Sequence, residues 1–109
     1  MDRNKAKSFM HDLMRMMMSR DGSDLFITAG SPPAMKVDGK IAVVSKQNLS
    51  PDHTQMLARS IMNDKQMSEF EALQECNFAI GLPGVARFRV NAFVQRGSIG
   101  LVLRIISSK

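Results

Sequence analysis

The most regular pattern in this chain lies between Gly84 and Ile106, where hydrophobic and polar positions alternate along two successive segments. Phe88, Val90, Ala92 and Val94 fall on one side, and Arg87, Arg89, Asn91 and Phe93 on the other. Ile99, Leu101, Leu103 and Ile105 repeat the pattern, with Gly100, Val102, Arg104 and Ile106 opposite. A period of two is the signature of a half-buried strand. A two-residue turn at Arg96-Gly97, or a four-residue loop from Gln95 to Ser98, joins the segments, and both choices give one register. Val94 then faces Ile99, Val90 faces Leu103 and Phe88 faces Ile105, which gathers the strong hydrophobes on one face and so fixes the pairing. The same register sets Arg89 directly across from Arg104, with Arg87 and Asn91 alongside. Like charges directly opposite on a sheet repel, so this pair is either separated by carboxylates and water or held for an anion.

Upstream, the period changes. From Arg3 to Arg20 the apolar positions Met10, Leu13, Met14 and Met17 recur at helical spacing, with Phe9 and Met16 at the edges of the stripe and Met18 off it, free to face a partner. Gly22 reads as the helix stop. A short strand, Leu25 to Thr28, precedes a loop closed by Pro32-Pro33, because paired prolines cannot join a ladder. Asp38-Gly39, the favoured pair for a two-residue hairpin turn, separates Met35–Val37 from Lys40–Val44. Ser50-Pro51 opens a helix with a capping serine and a proline at the first helical position; Met56, Leu57 and Ile61 form its buried stripe. Asn63 and Gln66 have the spacing of a capping box for a second helix, flanked by Met62 and Met67 as a staple, with Met67, Phe70 and Leu73 as its apolar stripe. Glu75 to Ile80 is a further strand. A three-residue turn at Leu82-Pro-Gly84 sets Phe78 across from Phe88 and Cys76 across from Val90.

The order is therefore helix, three strands, two helices, three strands. Helices segregated from hairpin strands give an α+β domain with an antiparallel sheet. The length of 109 residues suits one such domain. No apolar run approaches the length of a membrane span, and the charged start lacks a signal peptide's apolar core. Cys76 is the sole cysteine, which excludes an internal disulfide or cysteine metal site and fits a reducing cytoplasm. On the core face, Cys76 acts as a small hydrophobe rather than a nucleophile. The formal net charge of +5 is spread along the chain and reads as a generic basic surface.

No constellation of catalytic residues stands out. His11 and His53 fall on the polar sides of two helices, and Asp64, Glu69, Glu71 and Glu75 are dispersed around one helix and its exit. There is no Gly-x-x-x-x-Gly-Lys-Ser/Thr phosphate loop in the 109 residues. The segment from Arg87 to Phe93 has a slight resemblance to the RNA-binding strand of an RRM, whose aromatics project from an open sheet face. Here Phe88 belongs to the core face and the element order departs from that module, so nucleic acid is not expected as a partner.

Several segments together resemble one family. They are Gly22-Ser-Asp-Leu-Phe-Ile-Thr-Ala-Gly30, Met35-Lys-Val-Asp-Gly39, Ile61-Met-Asn-Asp-Lys-Gln66, Pro83-Gly-Val-Ala-Arg-Phe-Arg-Val-Asn-Ala-Phe93 and Leu101-Val-Leu-Arg-Ile-Ile106. This ordered set is similar to the N-terminal domain of the type IV pilus retraction (twitching motility) ATPases, the PilT and PilU group. The wording from Ser23 to Gly30, and Glu75-Cys-Asn-Phe-Ala-Ile80, favours the PilU branch. The resemblance implies a PAS-like α+β fold over residues 1–109, with about six antiparallel strands, an N-terminal helix over 1–21 and a central helix pair. It implies that this non-catalytic domain precedes a RecA-like motor domain, absent here, with Ser107 to Lys109 at the linker. The full-length protein is then an ATPase using ATP and Mg²⁺, while the fragment alone takes neither. Its partners are its own motor domain, the neighbouring subunits of a homohexamer, the pilus machinery at the inner membrane and a paralogous retraction ATPase. The expected location is cytoplasmic, peripheral to that membrane. The resemblance also assigns Arg89 and Arg104, with Arg87 as a lesser member, to the terminal phosphate of ATP held by the motor domain. The alternative is a free-standing PAS-like ligand-sensing or dimerisation module, which requires an internal apolar cavity and makes no use of the arginines.

Overall fold

The computed structural model describes residues 2–106. Its elements follow the sequence order: α1 (Arg3–Arg20), β1 (Gly22–Ile27), β2 (Ala34–Val37), β3 (Lys40–Val43), α2 (Pro51–Ser60), α3 (Asp64–Leu73), β4 (Glu75–Leu82), β5 (Ala86–Gln95) and β6 (Ser98–Ile106). The expected linker, Ser107 to Lys109, lies outside the described residues. Six antiparallel strands form one sheet in the order β3-β2-β1-β6-β5-β4. The α+β class with a six-stranded antiparallel sheet is thus as expected.

Helix α1 forms because its apolar residues fall on one stripe. Ala6, Met10, Leu13, Met14 and Met17 are all buried. The Asp2 carboxylate accepts the Lys5 N–H at 2.8 Å and caps the first turn. The residue that ends the helix is Asp21, in the left-handed conformation at φ 56°, and not Gly22. Gly22 instead opens β1, and its missing side chain answers to packing. A Cβ there would come within 2.5 Å of Met35 Sδ.

Both central helices carry reciprocal caps. Ser50 accepts the His53 N–H while His53 Nδ1 accepts the Ser50 N–H, each at 3.1 Å. His53 is therefore a capping residue, not merely a surface one. Asn63 and Gln66 make the expected box at 2.8 and 2.9 Å. The stripe of α2 is more tightly centred than its pattern suggests: Leu57 and Ala58 are fully buried, while Met56 and Ile61 are half-buried. Leu73, expected on the stripe of α3, is exposed because the helix ends there and the chain turns away through left-handed Gln74.

Helices α1 and α2 pack on each other and on β1 and β6, and α3 lies against β4. Phe88, Leu25, Ile27, Val90, Leu101 and Leu103 from the sheet meet Met10, Met14, Met17 and Leu57 from the helices, all fully buried. Each such side chain contributes roughly 1.5–3 kcal/mol through burial. Among the described residues the helices pack on this face of the sheet, and the polar positions of the alternating strands, Arg87, Arg89 and Arg104 among them, are exposed on the other.

Candidate functional site

Strands β5 and β6 adopt the expected register. Val94 pairs with Ile99, Val90 with Leu103, Phe88 with Ile105 and Arg89 with Arg104. The connection is the two-residue turn, with Arg96 and Gly97 both at positive φ (54° and 78°), as a hairpin matched to strand twist requires. The β4–β5 register differs from expectation by two residues. Phe78 pairs with Val90, Ile80 with Phe88 and Cys76 with Ala92. The cause is the turn. The Val85 N–H donates to the Leu82 carbonyl at 2.9 Å across Pro83 and Gly84, the latter at φ 75°. Proline then glycine at the two central positions is the pattern of a type II turn. Leu82 therefore stays in the strand and is buried. A two-residue shift keeps every side chain on its own face, so Cys76 remains buried, and burial pushes its thiol pKa up.

On the open face, pairing across the sheet lines up Lys36, Asp24, Arg104, Arg89 and Ala79 on β2, β1, β6, β5 and β4. Asp24 is the member that sequence reasoning missed. β1 and β6 lie at opposite ends of the chain, and no turn between them reveals their register. Its carboxylate Oδ2 accepts from Arg104 Nε at 2.9 Å. The two ends of the pair are unequal, with side-chain exposure of 13% for Asp24 and 71% for Arg104. Desolvation, the largest single influence, pushes the Asp24 carboxyl upward. Hydrogen bonds from Ser23 and Arg104 and the charges of Arg104 and Lys36 together outweigh it and hold the group below the usual carboxylate range.

The repulsion inherent in the Arg89–Arg104 pair is thus partly answered by a carboxylate on the third strand. Asp24 engages Nε and leaves both terminal nitrogens of Arg104 without a hydrogen bond among the described residues. Arg89 is exposed, has no ion pair among the described residues, and faces only the small Ala79 on its other side. Arg87 shares this face one pleat further on, across from Ile106 and exposed. Phe93, on the same face, lies over Gly100, where an added Cβ would meet its ring at 2.7 Å. Its ring is committed to covering the glycine. The arrangement amounts to a row of guanidinium donors, one of them anchored, on an open sheet. Among the described residues no group of three or more His, Cys, Asp or Glu is placed to hold a metal ion.

An α+β domain with this fold is found in solved ATPases. The crystal structure of the pilus retraction motor PilT with bound ADP superposes with a TM-score of 0.84 at 34% identity, covering 90% of this chain and 29% of that one. The Legionella pneumophila ATPase DotB shares the fold, with a TM-score of 0.81 at 24% identity, covering 94% of this chain and 30% of that one. The domain is therefore of the class that such motor ATPases carry at the N-terminus. Curated relatives narrow this further. The type IV pilus ATPase PilU of Pseudomonas aeruginosa is 50% identical over 96 residues, which is 88% of this chain and 25% of that protein. The pilus retraction ATPase PilT of the same organism is 42% identical over 98 residues, which is 90% of this chain and 28% of that protein. No protein-family model matches the chain. The chain belongs to the PilT/PilU group of type IV pilus ATPases, matching their N-terminal domain. It spans about a quarter of the length of the curated relatives.

Proposed function

We propose that this chain is the non-catalytic N-terminal domain of a homohexameric type IV pilus retraction ATPase, and that it couples nucleotide state to domain movement through Arg89 and Arg104. The observation that carries the reading is the cross-strand row: two guanidinium groups face each other on an open sheet, and one is anchored by Asp24 through Nε alone. Such a pair repels when empty and gains charge-assisted hydrogen bonds when a phosphate lies between its members. Arg89 and Arg104 engage the terminal phosphate of ATP bound to the RecA-like motor domain, and Arg87 extends the positive field at the edge of the site. Loss of that phosphate after hydrolysis restores the repulsion and releases the domain. Asp24 is a positioning residue, setting the direction of the Arg104 fork.

ATP supplies the anion that these donors fit, and Mg²⁺ neutralises its remaining charge. The carboxylate in the row, Asp24, is already engaged by Arg104, so the ligands of Mg²⁺ belong to the motor domain. The partners are that domain, the neighbouring subunits, the pilus machinery and a paralogous retraction ATPase. No described helix is long and apolar enough to cross a membrane, which is consistent with peripheral attachment to the inner membrane from the cytoplasm. The alternative, a PAS-like sensor or dimerisation module, requires an apolar cavity between sheet and helices. That space is occupied by Met10, Met14, Met17 and Phe88.

The direct test is hydrolysis by the 109-residue chain itself. The chain has the arginine row but no phosphate loop, so no ATP turnover is expected from it. Turnover by a clean preparation, abolished by a substitution within these residues, would overturn the assignment.

A further inference from the structure

At the β4 edge of the sheet, on the helical side, α1 carries Arg3, Lys7 and His11 at successive four-residue steps. A 3.6-residue helix sets such positions in one row. That row forms one wall of an open groove of about 440 Å³, and the α2–α3 junction at Ser60, Asn63 and Gln66 forms part of the other. The titratable residues lining it are the cations Arg3 and Lys7 and the imidazole of His11, and among the described residues no carboxylate lines it. Neither Arg3 nor Lys7 has an ion pair among the described residues. Asp12, the one acid within α1, is engaged with Arg15 at 3.3 Å, and the Asp2 carboxylate before Arg3 caps the helix by accepting the Lys5 N–H.

The far wall matches this polarity for a reason fixed by the backbone. In the α3 cap, Asn63 Oδ1 accepts the Gln66 N–H and Gln66 Oε1 accepts the Asn63 N–H. Both side-chain oxygens are thereby turned onto the backbone, so the outward ends of both amides are NH₂ donors. Three basic groups and two amide donors therefore border one groove. Burial first, then the charges of Lys7 and Arg15, lower the His11 pKa against the opposing pull of Asp12. The junction residues and the β4 segment bring no titratable side chain to the groove, and Asp64 and Lys65 follow Asn63 without lining it.

We propose that this groove binds a phosphate group, separately from the arginine row on the open sheet face. A phosphate presents several acceptor oxygens and no donors when ionised, which complements a border of cations and amide N–H groups. The group comes either from a free phosphate compound or from an anionic lipid headgroup.

The test follows the His11 ring by NMR as the 109-residue chain is titrated with inorganic pyrophosphate, and separately measures its sedimentation with phosphatidylglycerol vesicles. Binding in the groove raises the His11 pKa, because the anion stabilises the imidazolium. The Arg3→Gln/Lys7→Gln variant replaces two exposed side chains and should weaken binding by about fivefold or more, since each exposed ion pair is worth up to about that factor. The Lys40→Gln/Lys46→Gln variant loses the same charge, one site being on the opposite edge strand, and should leave binding within about twofold. Saturation by pyrophosphate assigns a free phosphate, and a groove-dependent response to vesicles alone assigns a headgroup. An unmoved His11 titration with both probes would overturn the proposal, as would equal weakening by the two variants.

Discussion

Asp24 sits in the row between Lys36 and Arg104, and its side chain is far more buried than the arginine it holds. Its pKa is held below the ordinary carboxylate value of 3.8, so the folded state binds its proton less readily than the unfolded chain does. Stability from this group is fully present above that value and is lost as pH falls through the folded pKa. Arg104 is largely solvated, which keeps the contribution within the range of exposed pairs, about 0.2–1 kcal/mol. Asp24→Asn should lower stability by about that amount at neutral pH and flatten the dependence of the urea midpoint on pH below about 4. An unchanged acid limb in the variant would assign the acid sensitivity to other carboxylates. Asp24 also marks what a sequence read alone conceals. Its ionic partner is 80 residues away, and nothing in its immediate neighbours, Ser23 and Leu25, signals an arginine across a strand. Arg89 and Arg104, by contrast, were legible because a two-residue turn ties their strands together.

Elements whose partners are close in sequence were the readable ones. The α1 stripe, the Asp38-Gly39 hairpin, both helix caps and the β5–β6 register all depend on contacts within a few residues or across one short turn. The β4–β5 register departed by two residues because Leu82-Pro-Gly-Val offers two placements for a three-residue turn. The placement that buries Leu82 and leaves Gly84 at positive φ is the one adopted. The pairing of β1 with β6, which closes the two halves into one sheet, has no local signal. The caps make a quantitative claim at this scale. Asn63→Ala removes the acceptor for the Gln66 N–H at 2.8 Å and should cost about 1 kcal/mol. In a domain of this size that corresponds to a fall in Tm of roughly 4–8 °C, measurable by calorimetry. A Tm within a degree of the parent would mean that packing of Phe70 alone holds α3 in place.

At the scale of the whole molecule, the radius of gyration of 13.1 Å equals that of a compact single domain of this length. Its largest buried side chains meet each other between the sheet and the helices. If ring closure rests on contacts between this domain and a neighbouring motor domain, the 109-residue chain should be monomeric or weakly associated at micromolar concentration. Light scattering that finds a stable hexamer of this chain alone would contradict that division of labour. The central claim is that the arginine row serves a nucleotide phosphate on another domain, and it separates cleanly from a structural role. Arg89 is exposed and has no ion pair among the described residues, so Arg89→Ala should change the stability of this domain by about half a kcal/mol or less. Arg104→Ala, in contrast, removes the partner of Asp24 and should cost up to about 1 kcal/mol. For Arg89 the change should be favourable, because it removes like-charge repulsion across the hairpin. The decisive measurement is ATP turnover by the full-length protein carrying Arg89→Ala or Arg104→Ala. Each variant should fold normally and hydrolyse ATP about a hundredfold more slowly, as follows the loss of a charge-stabilising donor. Lysine should rescue poorly, because a point charge lacks the planar fork. Alanine variants that hydrolyse ATP at the parent rate would contradict the account and return both arginines to a solvated sheet face.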